Sequence, residues 1–362
     1  MRGRTRQRKV VAALSGGVDS AVAAAILSEQ GNILCGATLK LRDSEPGPAV
    51  PSPEAVDRAR AVSQHLGIPF RLIEARQAFQ THVVDYFIAE YAAGRTPNPC
   101  VRCNRFVRFG ALMERVFALG GDTLATGHYA RIGETDGTFQ LLRACDVAKD
   151  QSYFLHRLTQ PQLAHTSFPL GRLTKDKVRA LARHYDLPVA EQPESQDVCF
   201  LLEGDYRNFL ADRASGILEP GPIRDTSGRL LGSHCGLAAY TIGQRKGLGV
   251  SASEPLYVLE LRPEENTVIV GTAAELGRDE CLVRCVHYIS GKARQSPFRA
   301  QAKIRYRASF ASVTVDPLEN NQARVRFDHP QRDITPGQYL VLHEEDVVLG
   351  GGIICEAQDS VL

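Results

Sequence analysis

The amino-acid sequence predicts an α/β fold: a doubly wound parallel sheet that carries a glycine-rich phosphate loop, followed by a small central domain and a C-terminal antiparallel β-barrel. Between residue 10 and about residue 130, apolar runs of strand length alternate with helical patterns, which is typical of a parallel sheet covered by helices on both faces. After about residue 205, Pro- and Gly-rich turns separate short apolar runs, as in antiparallel barrels. We expect three domains, spanning residues 1–204, 205–279 and 280–362.

Apolar periodicity predicts the individual elements. A helix is expected over Pro53–Leu66, because apolar residues recur there on one face. In the first domain the predicted strands are Val10–Leu14, Asn32–Leu39, Pro69–Ile73 and Thr123–Ala125. In the barrel they are Ala302–Ser309, Arg324–Phe327, Tyr339–Leu342 and Val347–Ile354. Ligands of parallel sheets bind beyond the carboxyl ends of the strands, so we expect the site there.

Composition excludes several protein classes. The 362 residues contain no apolar run near the length of about 20 residues that spans a membrane, and no secretory signal. Nine cysteines without such a signal favour the reducing cytoplasm. We also expect a monomer.

Charge is unevenly distributed, although the net charge is only +2. Met1–Lys9 carries five cations and Gly291–Val315 carries six, and neither segment contains an acid. Such segments favour binding of a polyanion. A solubilising tail and a solvated sheet face are the alternatives for the first and second segment.

A glycine-rich loop follows the first predicted strand. Ser15–Ser20 reads SGGVDS and precedes a helical pattern, so its backbone N–H groups and the helix dipole favour a phosphate. No Gly-Lys-Ser/Thr follows, which excludes an ordinary P-loop. Asp19 would repel phosphates unless a cation lies between them, and this indicates Mg²⁺. The alternative is an ordinary capped turn.

A pair of thiols lies in a second motif. Thr96–Asn104 reads TPNPCVRCN, in which two prolines favour an extended loop before Cys100 and Cys103. A CxxC pair by itself is compatible with redox chemistry, half a zinc site or chance. Cys199 follows a polar stretch and, taken alone, would be one more buried cysteine.

Six segments together resemble one family. The loop SGGVDS resembles that of the N-type ATP pyrophosphatases, which cleave ATP to AMP and pyrophosphate. It is followed, in order, by GRTPNPCVRCN, ATGHYAR, KDQSYFL, ESQDVCF and YTIGQRKGLGV. With Gly337-Gln338 in the barrel, the chain resembles the tRNA-specific 2-thiouridylase family over essentially its whole length.

The resemblance implies replacement of the C2 oxygen of the wobble uridine by sulfur. ATP would adenylate that oxygen, Cys199 would carry sulfur as a persulfide from a sulfur-donor protein, and Cys103 would release the product through a transient disulfide. The implied ATP-binding residues are Ala13, Leu14, Ser15, Gly16, Gly17, Val18, Asp19, Ser20, Leu39 and Gly127.

The resemblance also implies contacts with tRNA, the second substrate. Asn98, Pro99 and Cys100 would line the target base, which must leave its stack to react. The other implied tRNA contacts are His128, Lys149, Asp150, Gln151, Arg305, Tyr306 and Gln338. By itself, His128 could equally be a buried core histidine.

Cys100 departs from the family pattern, because many members have a proposed general acid/base Asp there. A thiol is a poorer proton shuttle. Cys100, Cys103 and Cys199 could alternatively ligate three irons of a [4Fe–4S] cluster. Another pyrophosphate-loop ligase, a non-catalytic RNA-binding module and a thiol redox protein are the remaining alternatives, but none of them explains the glycine loop and the cysteines together.

Overall fold

The fold follows from a computed structural model, which describes residues 8–43, 50–193, 198–201, 206–214 and 217–355. The strands are β1 (Val10–Ala13), β2 (Ile33–Lys40), β3 (Phe70–Glu74), β4 (Thr123–Ala125), β5 (Ala130–Thr135), β6 (Thr138–Arg143), β7 (Thr166–Ser167), β8 (Gly221–Asp225), β9 (Leu230–His234), β10 (Tyr257–Arg262), β11 (Thr267–Gly271), β12 (Arg278–Tyr288), β13 (Phe298–Lys303), β14 (Ala311–Leu318), β15 (Gln322–Gln331), β16 (Tyr339–Glu344) and β17 (Val347–Ile354). The α-helices are α1 (Val18–Glu29), α2 (Pro53–His65), α3 (Arg76–Phe79), α4 (Asp85–Ala92), α5 (Pro99–Arg102), α6 (Leu112–Ala118), α7 (Gln160–Ala164), α8 (Lys175–His184) and α9 (Tyr206–Arg213).

The first sheet is parallel and has the order β3-β2-β1-β4-β7. The predicted α/β class is confirmed, and the predicted strand ends differ from the observed ones by one residue at most. The chain builds β2 and β3 on one side of β1 and then β4 and β7 on the other. This reversal opens a crevice at the carboxyl ends of β1 and β4, where α/β sheets bind ligands.

A long helical stretch with a change of pitch follows the proline-rich loop. It runs from α5 through a π-helical segment, Cys103–Ala111, into α6. The start is fixed locally, because the Asn98 side chain accepts a hydrogen bond from the Val101 N–H and Pro99 occupies the first turn. In the sequence this stretch has an ordinary helical pattern, so the π-helical part is a feature that only the structure reveals.

The C-terminal region is the expected antiparallel barrel. In the described residues, six strands close in the order β12-β15-β14-β13-β16-β17, and β17 pairs again with β12. A smaller sheet, β10-β11-β8-β9, lies between the two larger units along the chain.

The first domain contributes a hairpin to the barrel sheet. Strands β5 and β6 pair with each other, and β6 pairs with β17 at Leu141↔Val348 and Leu142↔Val347. One apolar cluster contains Leu141 from the hairpin, Leu124 from the parallel sheet and Val348 from the barrel. The first domain and the barrel therefore share a core.

The strand predicted over Ala302–Ser309 is wrong in most of its length. Strand β13 ends at Lys303, and a turn follows in which the Ala308 N–H donates to the Arg305 carbonyl. The physical reason is the contact of Tyr306 with Phe154 of the first domain, whose ring centroid lies 4.4 Å away. A regular strand would have kept Tyr306 within the barrel alternation.

Candidate active site

The glycine-rich loop between β1 and α1 is built for close approach of a ligand. Gly16 has φ +79°, and a Cβ there would overlap the Ala55 carbonyl oxygen, so a larger residue would be strained in both conformation and space. Gly17 is the extended N-cap of α1 and makes no side-chain cap hydrogen bond. The first-turn N–H groups of α1 can therefore donate hydrogen bonds to an external acceptor such as an anion.

Two hydroxyl groups line the same loop. The Ser20 hydroxyl donates to the Gly17 carbonyl oxygen at 2.9 Å and accepts from the Ser15 N–H at 3.1 Å. The Ser15 and Ser20 hydroxyl oxygens are 3.1 Å apart. Ser15 is exposed and Ser20 is buried, so Ser15 is the hydroxyl that faces an incoming ligand.

Gly127 closes the loop from the adjacent strand. It follows β4, and a Cβ on it would lie 2.7 Å from the Asp19 carbonyl carbon and from the Ser20 nitrogen. The structure thus brings Gly127 against the loop, as expected for a shared site. Leu39, near the end of β2, is half-buried at the same sheet edge. The remaining loop residues, Ala13, Leu14 and Val18, connect this edge to the core.

Asp19 has two partners at the crevice. Its Oδ1 accepts hydrogen bonds from Lys175 Nζ at 2.7 Å and from the Tyr129 hydroxyl at 2.8 Å. The Lys175 side chain is only 9% exposed, so its ammonium group is held beside the loop. Sequence reasoning missed Lys175, which lies 156 residues beyond Asp19 and outside every motif singled out.

The structure places Cys103 in the core cluster that also contains Phe200, the residue after Cys199. Cys103 is buried in a cluster that includes Phe79, Phe87 and Phe200. Cys199 directly precedes Phe200 and is exposed, and Cys100 is half-buried one helical turn before Cys103. Glu194–Asp197, which precede Cys199 in the sequence motif, lie outside the described residues.

Each of the three thiols has a raised pKa. Burial raises the pKa of Cys100 to about 11, and the neighbouring Cys103 thiol adds to the effect. Desolvation raises the pKa of Cys199 to about 12, and the Cys103 and Cys100 thiols raise it further. Burial also raises the pKa of Cys103, while the charge of the Arg108 guanidinium acts in the opposite direction.

The barrel holds the loop that precedes these thiols. The Gln338 side-chain amide donates to the Thr96 carbonyl oxygen at 3.0 Å and to the Pro97 carbonyl oxygen at 3.3 Å. Gly337, at φ +88°, packs so closely on Arg95 and Thr96 that a Cβ would lie 3.0 Å from three of their atoms. Gln338, which sequence reasoning assigned to tRNA, therefore fixes the cysteine loop in this structure, and its tRNA contact stays a prediction.

His128 is buried beneath the site. Its Nδ1 lies 2.8 Å from the Thr126 hydroxyl, and its ring contacts Phe109 and Phe168, with both centroids at 6.0 Å. Burial lowers its pKa to about 3, so the ring is neutral near pH 7. His128 thus has the environment of a core histidine, and its predicted contact with tRNA stays a prediction.

The other predicted tRNA contacts meet where the first domain joins the barrel. Asp150 is buried and accepts from the Ala144 N–H at 3.0 Å and the Ser152 hydroxyl at 3.0 Å. Gln151 accepts from the Tyr129 N–H at 3.0 Å. Tyr306 lies near both Lys149 and Asp150, and Asp150 and burial raise its pKa.

Arg305 is exposed beside this junction. Its guanidinium forms a 3.0 Å ion pair with Asp333, whose carboxylate also packs against Gly243. The basic segment therefore already has an internal counter-charge at Arg305. Arg307 is exposed two residues further along.

Metal ligation was tested against the arrangement of the side chains. Within the described ranges, no group of three or more His, Cys, Asp or Glu side chains is placed to hold a metal ion. All described cysteines are free thiols.

Among the residues that the structure describes, no helix is both long and apolar enough to cross a membrane.

Comparison with known proteins gives matches along the whole chain. A family described as tRNA methyl transferase HUP domain matches residues 8–203. Families described as tRNA methyl transferase PRC-barrel domain and Aminomethyltransferase beta-barrel domain match residues 207–272 and 278–354.

Curated relatives carry a different name. The tRNA-specific 2-thiouridylase MnmA of Moorella thermoacetica is 50% identical over 349 residues, or 94% of this chain and 98% of the relative. The tRNA-specific 2-thiouridylase MnmA of Symbiobacterium thermophilum is 46% identical over 363 residues, which cover 97% of this chain and 93% of the relative. The chain belongs to the tRNA-specific 2-thiouridylase family. The family assignment made from the sequence motifs is thereby confirmed.

Two solved structures show weaker likeness to this 2-thiouridylase family member. Glutamine-dependent NAD+ synthetase from Acinetobacter baumannii, in complex with ADP, has a TM-score of 0.34 and 16% identity and covers 52% of this chain and 32% of that chain. NMN synthetase from Francisella tularensis has a TM-score of 0.33 and 17% identity, and the match covers 52% of this chain and 67% of that chain.

Lys175 and Arg108 are the side chains that sequence reasoning missed at the site. Lys175 begins α8, after a Thr174 cap that gives an ordinary helix-start signal. Arg108 has an ordinary position in a helical pattern, five residues after Cys103. The only available signal was that each residue is a cation at the start of a helix or within one.

Proposed function

We infer that this protein is a tRNA 2-thiouridylase, a sulfurtransferase that uses ATP to replace the C2 oxygen of the wobble uridine by sulfur. The observation that carries the inference is the presence, in one 2-thiouridylase family member, of two features: a phosphate loop without a P-loop lysine, and the Cys103 thiol in the same core cluster as Phe200, the neighbour of Cys199. Methyl transfer, named in two of the matching family descriptions, would require neither feature.

The loop would activate the substrate oxygen. A carbonyl oxygen of a pyrimidine is a poor leaving group, and adenylation converts it into AMP, which leaves readily. The open N–H groups of α1, the Ser15 hydroxyl and Lys175 would bind the phosphates. Products of this step would be the adenylated base and pyrophosphate.

Asp19 is suited to hold Mg²⁺ beside the phosphates. The Asp19 side chain is 33% exposed, so a ligand can reach its carboxylate. One protein carboxylate together with phosphate oxygens is a usual ligand set for Mg²⁺. Bound Mg²⁺ would screen the phosphate charge. Lys175 and Tyr129, which now donate to Asp19, would keep its carboxylate oriented toward the loop.

The thiols would perform the sulfur transfer. Cys199, which is exposed, would receive a sulfur atom from a donor protein and hold it as a persulfide. The terminal sulfur attacks C2, AMP leaves, and a C2–S–S–Cys199 bridge results. Cys103 then attacks the Cys199 sulfur, the 2-thiouridine leaves, and a Cys103–Cys199 disulfide remains for a thiol reductant to reset.

The tRNA would approach from the barrel side. Asn98, Pro99 and Cys100 lie beside Cys103 and would line the pocket for the splayed base. Lys149, Arg305, Tyr306 and Arg307 would contact the anticodon region. The enzyme would act as a cytoplasmic monomer.

The deciding experiment measures both products in one reaction. Purified protein is incubated with tRNA, ATP, Mg²⁺ and a persulfide donor, and wobble nucleosides are analysed by mass spectrometry. We expect 2-thiouridine, AMP and pyrophosphate in equal amounts. ADP as the main tRNA-dependent product would contradict the adenylation step. In a parallel reaction supplied with a methyl donor, methylated uridine would favour the methyl-transfer description.

The iron–sulfur alternative has its own measurement. The arrangement of the described side chains does not form a metal-holding group, so we derive no step through a cluster. Anaerobically purified protein with about four irons per chain, lost together with activity in Cys100→Ser, would support it. Iron-free protein with full activity would support the persulfide route.

A further inference from the structure

Tyr129 lies between the glycine-rich loop and the segment that carries three of the predicted tRNA contacts. Its hydroxyl donates to Asp19 Oδ1 at 2.8 Å. Its backbone is joined to Gln151 by two hydrogen bonds: the Tyr129 N–H donates to Gln151 Oε1 at 3.0 Å, and the Gln151 N–H donates to the Tyr129 carbonyl oxygen at 2.8 Å. Because Tyr129 is only 2% exposed, it forms a buried link from Gln151 to Asp19.

Lys175, which also donates to Asp19, is attached to the same segment. Its Nζ lies 2.7 Å from Asp19 Oδ1, and its backbone N–H donates to Asp146 Oδ2 at 2.9 Å. The other carboxylate oxygen of Asp146 accepts from the Ala148 N–H at 3.2 Å, which fixes the Asp146 side chain within the segment. Residues 146–151 therefore hold Lys175 as well as Tyr129.

Close backbone packing connects these groups further. The Gly171 carbonyl oxygen accepts from the Cys145 N–H at 2.9 Å. A Cβ on Gly171 would overlap the Ala130 carbonyl oxygen. Chain segments in such contact move together, because packed interiors have few voids and transmit strain. A displacement of residues 146–151 would therefore move the groups that hold Asp19.

We propose that Tyr129 is a positioning residue that couples tRNA binding at Gln151 to the placement of the Asp19 carboxylate for Mg²⁺ and ATP. This proposal rests on the proposed function. Bound tRNA would restrain Gln151 and, through its two hydrogen bonds, Tyr129, so that the Tyr129 hydroxyl stays on Asp19. Coupling between two binding sites is reciprocal, so ATP should tighten tRNA binding by the same factor as tRNA tightens ATP binding.

Binding of a non-cleavable nucleotide measures this coupling without chemistry. The full-length protein, with Mg²⁺, is titrated calorimetrically with an ATP analogue that carries a methylene group between the α- and β-phosphates. The titration is done without tRNA and with saturating tRNA at one salt concentration, and the ratio of the two dissociation constants is the coupling factor. We expect a factor of about five or more for the wild type, the lower end of usual couplings. Tyr129→Phe, which removes only the hydroxyl, should bring the factor close to one.

Matched variants separate this route from general loosening. Tyr185→Phe removes the same atom at the opposite ends of α8 and α1, where the Tyr185 hydroxyl donates to Glu29 Oε2 at 2.8 Å. It should keep the wild-type factor. Gln151→Glu retains an acceptor for the Tyr129 N–H and should also keep it. Gln151→Met removes that acceptor and should lower the factor toward one, with tRNA again saturating.

Four results would overturn the proposal. They are a wild-type factor near one with tRNA bound, an unchanged factor in Tyr129→Phe, an equal loss in Tyr185→Phe, and Gln151→Glu with a factor as low as that of Gln151→Met. A wild type that binds the analogue but no tRNA would contradict the proposed function, and this proposal with it. Bound tRNA with a factor near one would contradict this proposal alone.

Discussion

The nucleotide loop and the sulfur site are built in opposite ways. The loop is a run of consecutive residues between β1 and α1, and its geometry is set by backbone contacts of Gly16 and Gly127. The sulfur site joins Cys100 and Cys103 to Cys199, almost a hundred residues later, and depends on side chains. Substitutions at the loop should therefore impair ATP cleavage, whereas substitutions at the thiols should leave it intact.

The thiols should give the largest effect. Cys103→Ser and Cys199→Ser should each reduce 2-thiouridine below detection, because a hydroxyl neither carries sulfur nor attacks a disulfide bridge under these conditions. Pyrophosphate release should persist. Cys281→Ser, in the barrel core, is the control for a lost buried thiol. Undiminished product in Cys199→Ser would show that sulfur follows another route.

The second-largest effect is expected from loss of Lys175, the cation beside the glycine-rich loop. Lys175→Met should lower the rate of ATP cleavage by about a hundredfold, the usual cost of removing one group that stabilises charge in a transition state. Single-turnover release of pyrophosphate measures this. Lys177→Met, at an exposed position of the same helix, should be neutral. Equal rates in both variants would mean that Lys175 serves only to neutralise Asp19.

Gln338 links the cysteine loop to the barrel, and its loss should have an intermediate effect. Gln338→Leu removes the hydrogen bonds to Thr96 and Pro97, so we expect a loss in 2-thiouridine formation of roughly tenfold. Binding of ATP in the absence of tRNA should be unchanged. Gln301→Leu, at an exposed barrel position, is the control. A loss in tRNA affinity alone would instead support the predicted tRNA contact.

The smallest effect is expected at the basic barrel segment. Arg307→Ala should reduce the slope of log K for tRNA against log salt by about 0.7 to 0.9, the value for one phosphate contact. Arg305→Ala should change it less, because Arg305 is already paired with Asp333. Filter binding between low and moderate salt measures both slopes. Identical slopes for Arg307→Ala and the wild type would place the tRNA elsewhere.

The sequence predicted what is local. The loop from Ser15 to Ser20, the strands around it and the thiol motif could be read directly, since each depends on neighbouring residues. Lys175 and Arg108 could not be predicted in the same way. One lies far along the chain from Asp19, and the other lies in a helical pattern that is wound as a π-helix.

Contacts between domains account for the remaining differences. The strand expected over Ala302–Ser309 ends early because Tyr306 turns toward Phe154. The tRNA contacts expected at His128 and Gln338 were inferred from motifs, whereas these side chains make internal contacts in the structure. Tertiary partners of this kind leave no periodic signal in one sequence.

The hairpin shared with the barrel limits how the chain can be divided. Strand β6 finds its outer partner in β17, and Leu141 is fully covered there. A shortened chain that ends before residue 278 would expose the backbone edge of β6 and an apolar surface beside it. Unpaired edges of this kind template self-association, so we expect such a fragment to aggregate rather than to persist as an isolated ATP-cleaving unit.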